Sequence, residues 1–185
     1  MQAQITAPDK LEEDIISEFH NKLDGIPLWK KEKNEGWTDK RWTKEVKDAV
    51  GRAAKKRGHK IRASRCDQAD GGEWLYDLIC LEYEDEYLKG IPLVLESEWK
   101  GRYSKKNYEG EILKDFRKLL VSRAGLRVMV LEAKSEEKGK EVVERLLQHV
   151  QNCRCSTAGD RYLFACCRQI EKKWAFDCSV YVVKE

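Results

Sequence analysis

Three acidic residues in the 185-residue chain fall where acids are least expected. Asp77 lies between Tyr76 and Leu78 in the aromatic and aliphatic run 73–83, which reads as a strand. Glu96 and Glu98 follow Leu93-Val94-Leu95 in the next apolar run, 91–99. Side chains alternate along a strand, so Glu96 and Glu98 point to one face. If the two runs pair through the acidic turn at Glu84-Asp85-Glu86 and Lys89-Gly90, Asp77 approaches the glutamate pair. Three such carboxylates raise one another's pKa and need a cation to coexist ionised. A hard divalent ion such as Mg²⁺ takes oxygen ligands and keeps waters for chemistry. A lone aspartate would read as satisfying a sheet edge, but Glu-x-Glu ending the next strand favours chemistry.

Other chemistries find no template. There is no GxGxxG after a strand, no GxxxxGK[ST] and no GxSxG. His20, His59 and His149 never fall at metal-ligand spacing. The seven cysteines include no CxxC, and Cys80, Cys166 and Cys178 sit inside apolar runs, where cysteine behaves as a small hydrophobe. Cys153-x-Cys155 and Cys166-Cys167 lack the spacing of structural zinc ligands.

The elements that must position the carboxylates follow from periodicity. Leu11, Ile15, Ile16, Phe19 and Leu23 recur at helical spacing, and Gly25-Ile26-Pro27 ends that helix. A second helix opens at Thr38-Asp39, carries Trp42, Val46, Ala49, Val50, Ala53 and Ala54 as its apolar stripe, and stops at Gly58. His59–Cys66 reads as a short strand ahead of the two carboxylate-bearing strands. A helix from about Glu111 to Ser122, a buried strand 126–132, a helix around Val142–Val150 and strands near 162–167 and 174–183 complete the order. Strands interleaved with helices predict an α/β fold whose mixed sheet is covered by helices on both faces. The helix between strands 93–98 and 126–132 is a candidate right-handed crossover. The chain reads as a single domain over 1–185, divided into 1–37 (helix and connector), 38–132 (core) and 133–185 (helix and strands).

This arrangement resembles the PD-(D/E)XK nuclease superfamily, whose restriction-endonuclease-like core runs helix, three strands, helix, strand, here about residues 39–132. The family places its Asp in the second core strand, matching Asp77, and ends the third with (D/E)-x-K. Glu96-Ser97-Glu98 departs from that pattern by carrying Glu where Lys is usual, as in E-x-E variants. Glu98-Trp99-Lys100 is a literal E-x-K two residues on, and the unbroken run into Glu96 favours the first register, with Lys100 as a charge partner. A lysine displaced to the following helix is also known in the family. Lys118 is the candidate, although it falls ~160° from the centre of its apolar stripe and is expected to face water. The family often sets a Glu on the first core helix, here Glu45, which reads equally well as a solvated partner of Lys44, Lys47 or Arg41. Glu132-Ala133-Lys134 repeats E-x-K in the wrong place and reads as the loop leading into a helix. The resemblance implies Mg²⁺ or Mn²⁺ held by Asp77, Glu96 and the Ser97 carbonyl, with Glu98 or Lys100 orienting the attacking water.

Basic residues suggest a partner. Seven cations and no acid occupy 52–65 (Arg52, Lys55, Lys56, Arg57, Lys60, Arg62 and Arg65), and Trp99–Lys106 interleaves cations with aromatics. Such segments neutralise phosphates and stack on bases, although with 36 Lys+Arg against 33 Asp+Glu the surface is a local patch. No stretch approaches the ~18–20 apolar residues of a membrane helix. The acidic beginning lacks a signal-peptide pattern, and an odd cysteine count suits reduced thiols, so the expectation is a cytoplasmic protein without a membrane partner. The expected function is Mg²⁺-dependent hydrolysis of phosphodiesters, of DNA first, with room for a homodimer. The alternative is a non-catalytic nucleic-acid-binding or regulatory protein on the same fold.

Overall fold

The computed structural model describes residues 1–26, 38–99 and 105–185, with the side chains of 105–107 left aside. Its elements run β1 (Gln2–Ile5), α1 (Lys10–Lys22), α2 (Asp39–Lys55), β2 (Lys60–Arg62), β3 (Leu78–Glu84) and β4 (Tyr87–Glu98). They continue with α3 (Lys105–Val121), β5 (Leu126–Glu132), α4 (Glu136–Asn152), β6 (Arg161–Ile170) and β7 (Lys173–Lys184). The strands form one mixed sheet in the order β1-β7-β6-β5-β4-β3-β2. β4, β5 and β6 are parallel, and the outer pairs are antiparallel. The α/β class and the mixed sheet expected from the sequence are both present. Among the described residues no helix is long and apolar enough to cross a membrane.

Strand alternation sorts the core into two layers. Leu78, Cys80, Leu93, Leu95 and Val128 pack against Ile15 and Phe19 of α1 and Trp42 and Val46 of α2. Their neighbours Ile79, Val94 and Met129 face the opposite way, onto Phe116 and Leu119 of α3 and Val143 of α4. The central strands are therefore apolar on both faces, as parallel strands must be. α1 starts with a capping box in which the Asp9 carboxylate accepts from Glu12 N and the Glu12 carboxylate accepts from Asp9 N. Thr38 caps α2 as its sequence position suggests.

α3 begins at Lys105, about six residues before the expected Glu111, and three other element boundaries differ from the sequence expectation, each with a local cause. The run 73–83 does not form one strand, because Leu75 adopts φ 66° and Trp74 and Tyr76 form only an isolated bridge. Pairing with β4 begins at Leu78, so Asp77 sits at a bend just outside the strand rather than inside it. β2 stops at Arg62 because the chain turns at Ser64-Arg65, with Arg65 at φ 49°. The acidic loop contracts to a two-residue turn at Asp85-Glu86, and Lys89-Gly90 belong to β4. β1 gave no sequence signal. It adds to β7 in the register Gln2–Lys184 to Ile5–Tyr181, and the chain beyond α1 returns to the same strand. There Gly25 N donates to Trp174 O at 2.8 Å and Trp174 N to Ile26 O at 3.0 Å.

β5 carries one buried charge. Arg127 donates from Nε to Leu119 O (3.1 Å) and from Nη2 to Ser122 O (2.7 Å), capping α3's last carbonyls. Its guanidinium lies 3.3 Å from Asp160 and 5.2 Å from the Tyr162 ring centroid. Arg127→Met keeps most of the volume but strands both carbonyls and Asp160. It should cost about 3–5 kcal/mol of stability with an unchanged m value in urea; a loss below about 1 kcal/mol would show that the cap contributes little.

Candidate functional site

The site forms where β3 has not yet begun and β4 is ending. Leu78 opposite Leu95 puts Asp77 one step beyond the last regular pair, level with Glu96. Asp77 Oδ2 accepts both the Ser97 N–H (2.9 Å) and the Ser97 hydroxyl (2.7 Å), so a carboxylate replaces the missing neighbouring strand. Ser97 faces α2, as Leu95 does two residues earlier, and Glu96 faces α3, as Val94 does. The structure thus brings Asp77 onto Ser97 and leaves Glu96 on the other side of the strand.

Glu96 meets a cation there. Its buried Oε1 lies 2.6 Å from Lys118 Nζ, and Lys118 also contacts Asp115 at 2.8 Å. Lys118 keeps 42% of its side chain exposed, as its wheel position suggests, yet its ammonium also reaches the buried Glu96 carboxylate. Its α-carbon does lie off the apolar stripe, but the four-carbon stem runs back along the helix flank and returns the ammonium to the sheet. Asp115, one turn earlier on the same flank, is a site residue that the sequence reading missed; its signal is the i, i+3 pairing with Lys118.

Glu98 is half-buried and held through its main chain. The Tyr108 hydroxyl accepts from Glu132 N (2.9 Å) and donates towards Glu132 O (2.8 Å), with Glu98 O 3.2 Å away, so one phenol clips the ends of β4 and β5 together. Glu98 Oε2 is buried with no hydrogen-bond partner among the described residues. Burial pushes the Glu96 carboxyl up to about 8, with Lys118 opposing and Asp77 and Asp115 reinforcing the shift. Glu98 rises to about 7 through burial and repulsion from Asp115, Glu111, Asp77 and Asp39. Burial also raises Asp77, against the two Ser97 bonds and the charge of Lys47. Burial works against the Lys118 ammonium, but Asp115 and Glu96 outweigh it and hold its pKa above the usual lysine value.

On the α2 side the site opens into a cleft of about 320 Å³ lined by Thr43, Lys47, Ser64, Glu73, Asp77 and Glu98 among others. Trp99 Nε1 donates to Thr43 Oγ1 at 3.0 Å, fixing the strand end against α2. Lys47 is a second missed residue; on the helical wheel it adjoins Thr43 and Ala54, at the margin of the apolar stripe. Glu45 does not join the site. It sits on the opposite flank, 4.0 Å from Arg41, as a solvated pair. Lys100 and most of the Trp99–Lys106 aromatic-basic segment lie outside the described residues.

The basic segment is largely neutralised from within. Arg52 and Lys56 pair with Glu18 (2.7 and 3.3 Å), Arg57 with Asp14 (2.7 Å) and Lys55 with Asp70 (2.5 Å). Asp14 and Glu18 of α1, together with Asp70 after β2, supply the acids that the sequence of 52–65 lacks. This corrects the expectation of a free cationic patch, and leaves Lys60, Arg62 and Arg65 without ion pairs among the described residues.

Among the described residues no three Asp, Glu, His or Cys side chains are drawn close enough to ligate one metal ion together. The donors are nevertheless all oxygen. Both Asp77 bonds fall on Oδ2, and the buried Glu96 and Glu98 carboxylates stand at the same strand end, so the groups available there are oxygens of the kind a hard divalent ion takes.

Raised carboxyl pKa values carry a definite sign. In the unfolded chain these glutamates ionise near 4.5, whereas Glu96 and Glu98 hold their protons to about 8 and about 7 when folded. The folded state then binds more protons, and stability falls as pH rises from about 4.5 to about 8. Metal-free protein should therefore melt progressively lower across that window, and Glu96→Gln should flatten the profile. An unchanged slope in Glu96→Gln would remove Glu96 as its source.

No family model, curated protein or solved structure matches the chain.

Proposed function

We propose that the chain is a metal-dependent phosphodiesterase of the restriction-endonuclease-like, PD-(D/E)XK class, acting on nucleic acid and on DNA first. The observation that supports it most is the Lys118 ammonium, 2.6 Å from the carboxylate that stands level with Asp77. The sequence departs from the family pattern by lacking a lysine two residues after Glu96, and α3 returns one to the same carboxylate. This favours the register with Glu96 as ligand and Glu98 as the variant position.

In this reading Asp77, Glu96 and the Ser97 carbonyl hold Mg²⁺ or Mn²⁺. A bound divalent ion supplies an acidified water and offsets charge on the phosphate and the departing 3′ oxygen. The Ser97 bonds fix the Asp77 rotamer, and the Tyr108 clip fixes the β4 end. Glu98 accepts a hydrogen bond from the attacking water through its free Oε2. Lys118 offsets negative charge that the three carboxylates would otherwise present to a polyanionic substrate.

A second reading, a non-catalytic nucleic-acid-binding or regulatory role on the same fold, is favoured by the glutamate at the usual lysine position. Cleavage of labelled DNA and RNA, single- and double-stranded, with Mg²⁺ or Mn²⁺ separates the two. Asp77→Asn, Glu96→Gln and Lys118→Met should each lower the rate by roughly 10²-fold or more while the circular dichroism spectrum is retained. Glu45→Gln should cleave normally. Wild-type protein that binds but never cleaves with either metal would leave only the second reading.

A further inference from the structure

Lys47 is 3% exposed, yet among the described residues it has no carboxylate within ion-pair distance, and its one hydrogen-bond contact there is the Ser64 hydroxyl at 3.5 Å. Buried ammonium groups are ordinarily paired, because desolvation without a counter-charge is costly. The neighbouring cations obey that rule. Lys44, one turn earlier, contacts Asp48 at 2.5 Å and Asp67 at 2.7 Å. Lys47 instead lines the open cleft beside Asp77.

The surroundings of Lys47 select the counter-charge. Ser64 Oγ, the Lys47 contact, itself donates to Glu73 at 2.5 Å. Thr43 Oγ1 accepts from Trp99 at 3.0 Å and lies 3.5 Å from Ser97 Oγ, which adds a hydroxyl to the lining. Arg65 and Lys40 lie exposed on the same rim, Arg65 directed there from its left-handed backbone at φ 49°. The cleft thus gathers the cations Lys40, Lys47 and Arg65 and the hydroxyls of Thr43, Ser64 and Ser97 beside the carboxylates of Asp39, Glu73, Asp77 and Glu98. A volume of about 320 Å³ is at the scale of a small-ligand site.

We propose that this cleft is a phosphate subsite for the nucleic-acid strand, with Lys47 as its buried anchor and Arg65 and Lys40 at its rim. The proposal rests on the phosphodiesterase reading and deepens it: the strand is gripped at a phosphate next to the one that is cut, by α2 and the β2–β3 connection. The basic run 52–57, whose charges are paired with Asp14 and Glu18 of α1 and with Asp70, is not the gripping surface.

The test is anisotropy of a fluorescein-labelled oligodeoxynucleotide over a salt series, with Ca²⁺ in place of Mg²⁺ and again with EDTA. Lys47→Met should weaken binding roughly tenfold or more, and reduce the slope of log K against log[salt] by about 0.7–0.9. Lys47→Arg should restore most of the affinity. Arg65→Gln, an exposed substitution that leaves the core untouched, should reduce the slope similarly and serves if Lys47→Met is unstable. The triple variant Lys55→Gln, Lys56→Gln, Arg57→Gln should leave the slope unchanged. Wild-type slopes in both cleft variants, or no oligonucleotide binding by the wild type, overturn the subsite. Lys47-dependent binding without any metal-dependent cleavage sinks the hydrolase and leaves the subsite standing; normal cleavage with Lys47-independent binding does the reverse.

Discussion

β3 pairs with β4 so that Leu78 faces Leu95, and every feature of the site follows from that register. The pairing stops one residue short of Asp77, and the Asp77 carboxylate takes over the Ser97 N–H there. Because side chains alternate, Ser97 is delivered to the α2 side and Glu96 to the α3 side of the same strand. A slip of one residue would exchange these faces, burying glutamates against Trp42 and sending leucines towards Lys118. The apolar pairs Leu78–Leu95 and Cys80–Leu93 make such a slip costly, since each sits wholly within the first core layer.

The overall layering was legible because long periodic segments announce themselves. The stripes of α1, α2 and α4 and the apolar runs of β5 and β6 lie where their spacing places them. The start of β3 was hidden because Trp74-Leu75-Tyr76 has strand-like composition, and only the positive φ of Leu75 excludes it from the ladder. β1 was hidden for another reason: four residues carry no period, and their strand character comes wholly from β7. At the site, Glu96 and Glu98 were readable as acids ending an apolar run, and Asp77 as an acid inside one. The role of Lys118 was not, because an angle on a helical wheel locates the α-carbon and a lysine stem can carry its charge several ångströms back. Lys47 was masked by the equally good expectation that a helical lysine pairs with a nearby glutamate.

Charge in this molecule is arranged by helix pairs more than by sequence segments. Seen linearly, 52–65 is the most cationic stretch; seen in space, Asp14 and Glu18 of α1 lie across from it. The α1–α2 seam is thus apolar inside, through Ile15, Phe19, Val46 and Val50, and ion-paired along its margin. The carboxylates at the end of β4 have the opposite character: several acids crowd about one lysine, and a buried oxygen is left over.

β7 is a twelve-residue strand rich in aromatic and β-branched side chains, and it would otherwise be the long open margin of the sheet. Such a margin templates pairing with a second chain and invites aggregation. Here its hydrogen-bonding groups are taken up at two places by the chain on either side of α1. Residues 2–6 pair along 180–184, and 24–26 pair at 174–176, with Asp24 accepting from Phe176 N at 2.8 Å. At the other margin β2 is only three residues long and is partly covered by Asp70 and Gly71. The segment 2–26 therefore works as a guard against self-templating, and loosening it would expose an amyloid-like edge while leaving the β3–β4 hairpin and its carboxylates in place.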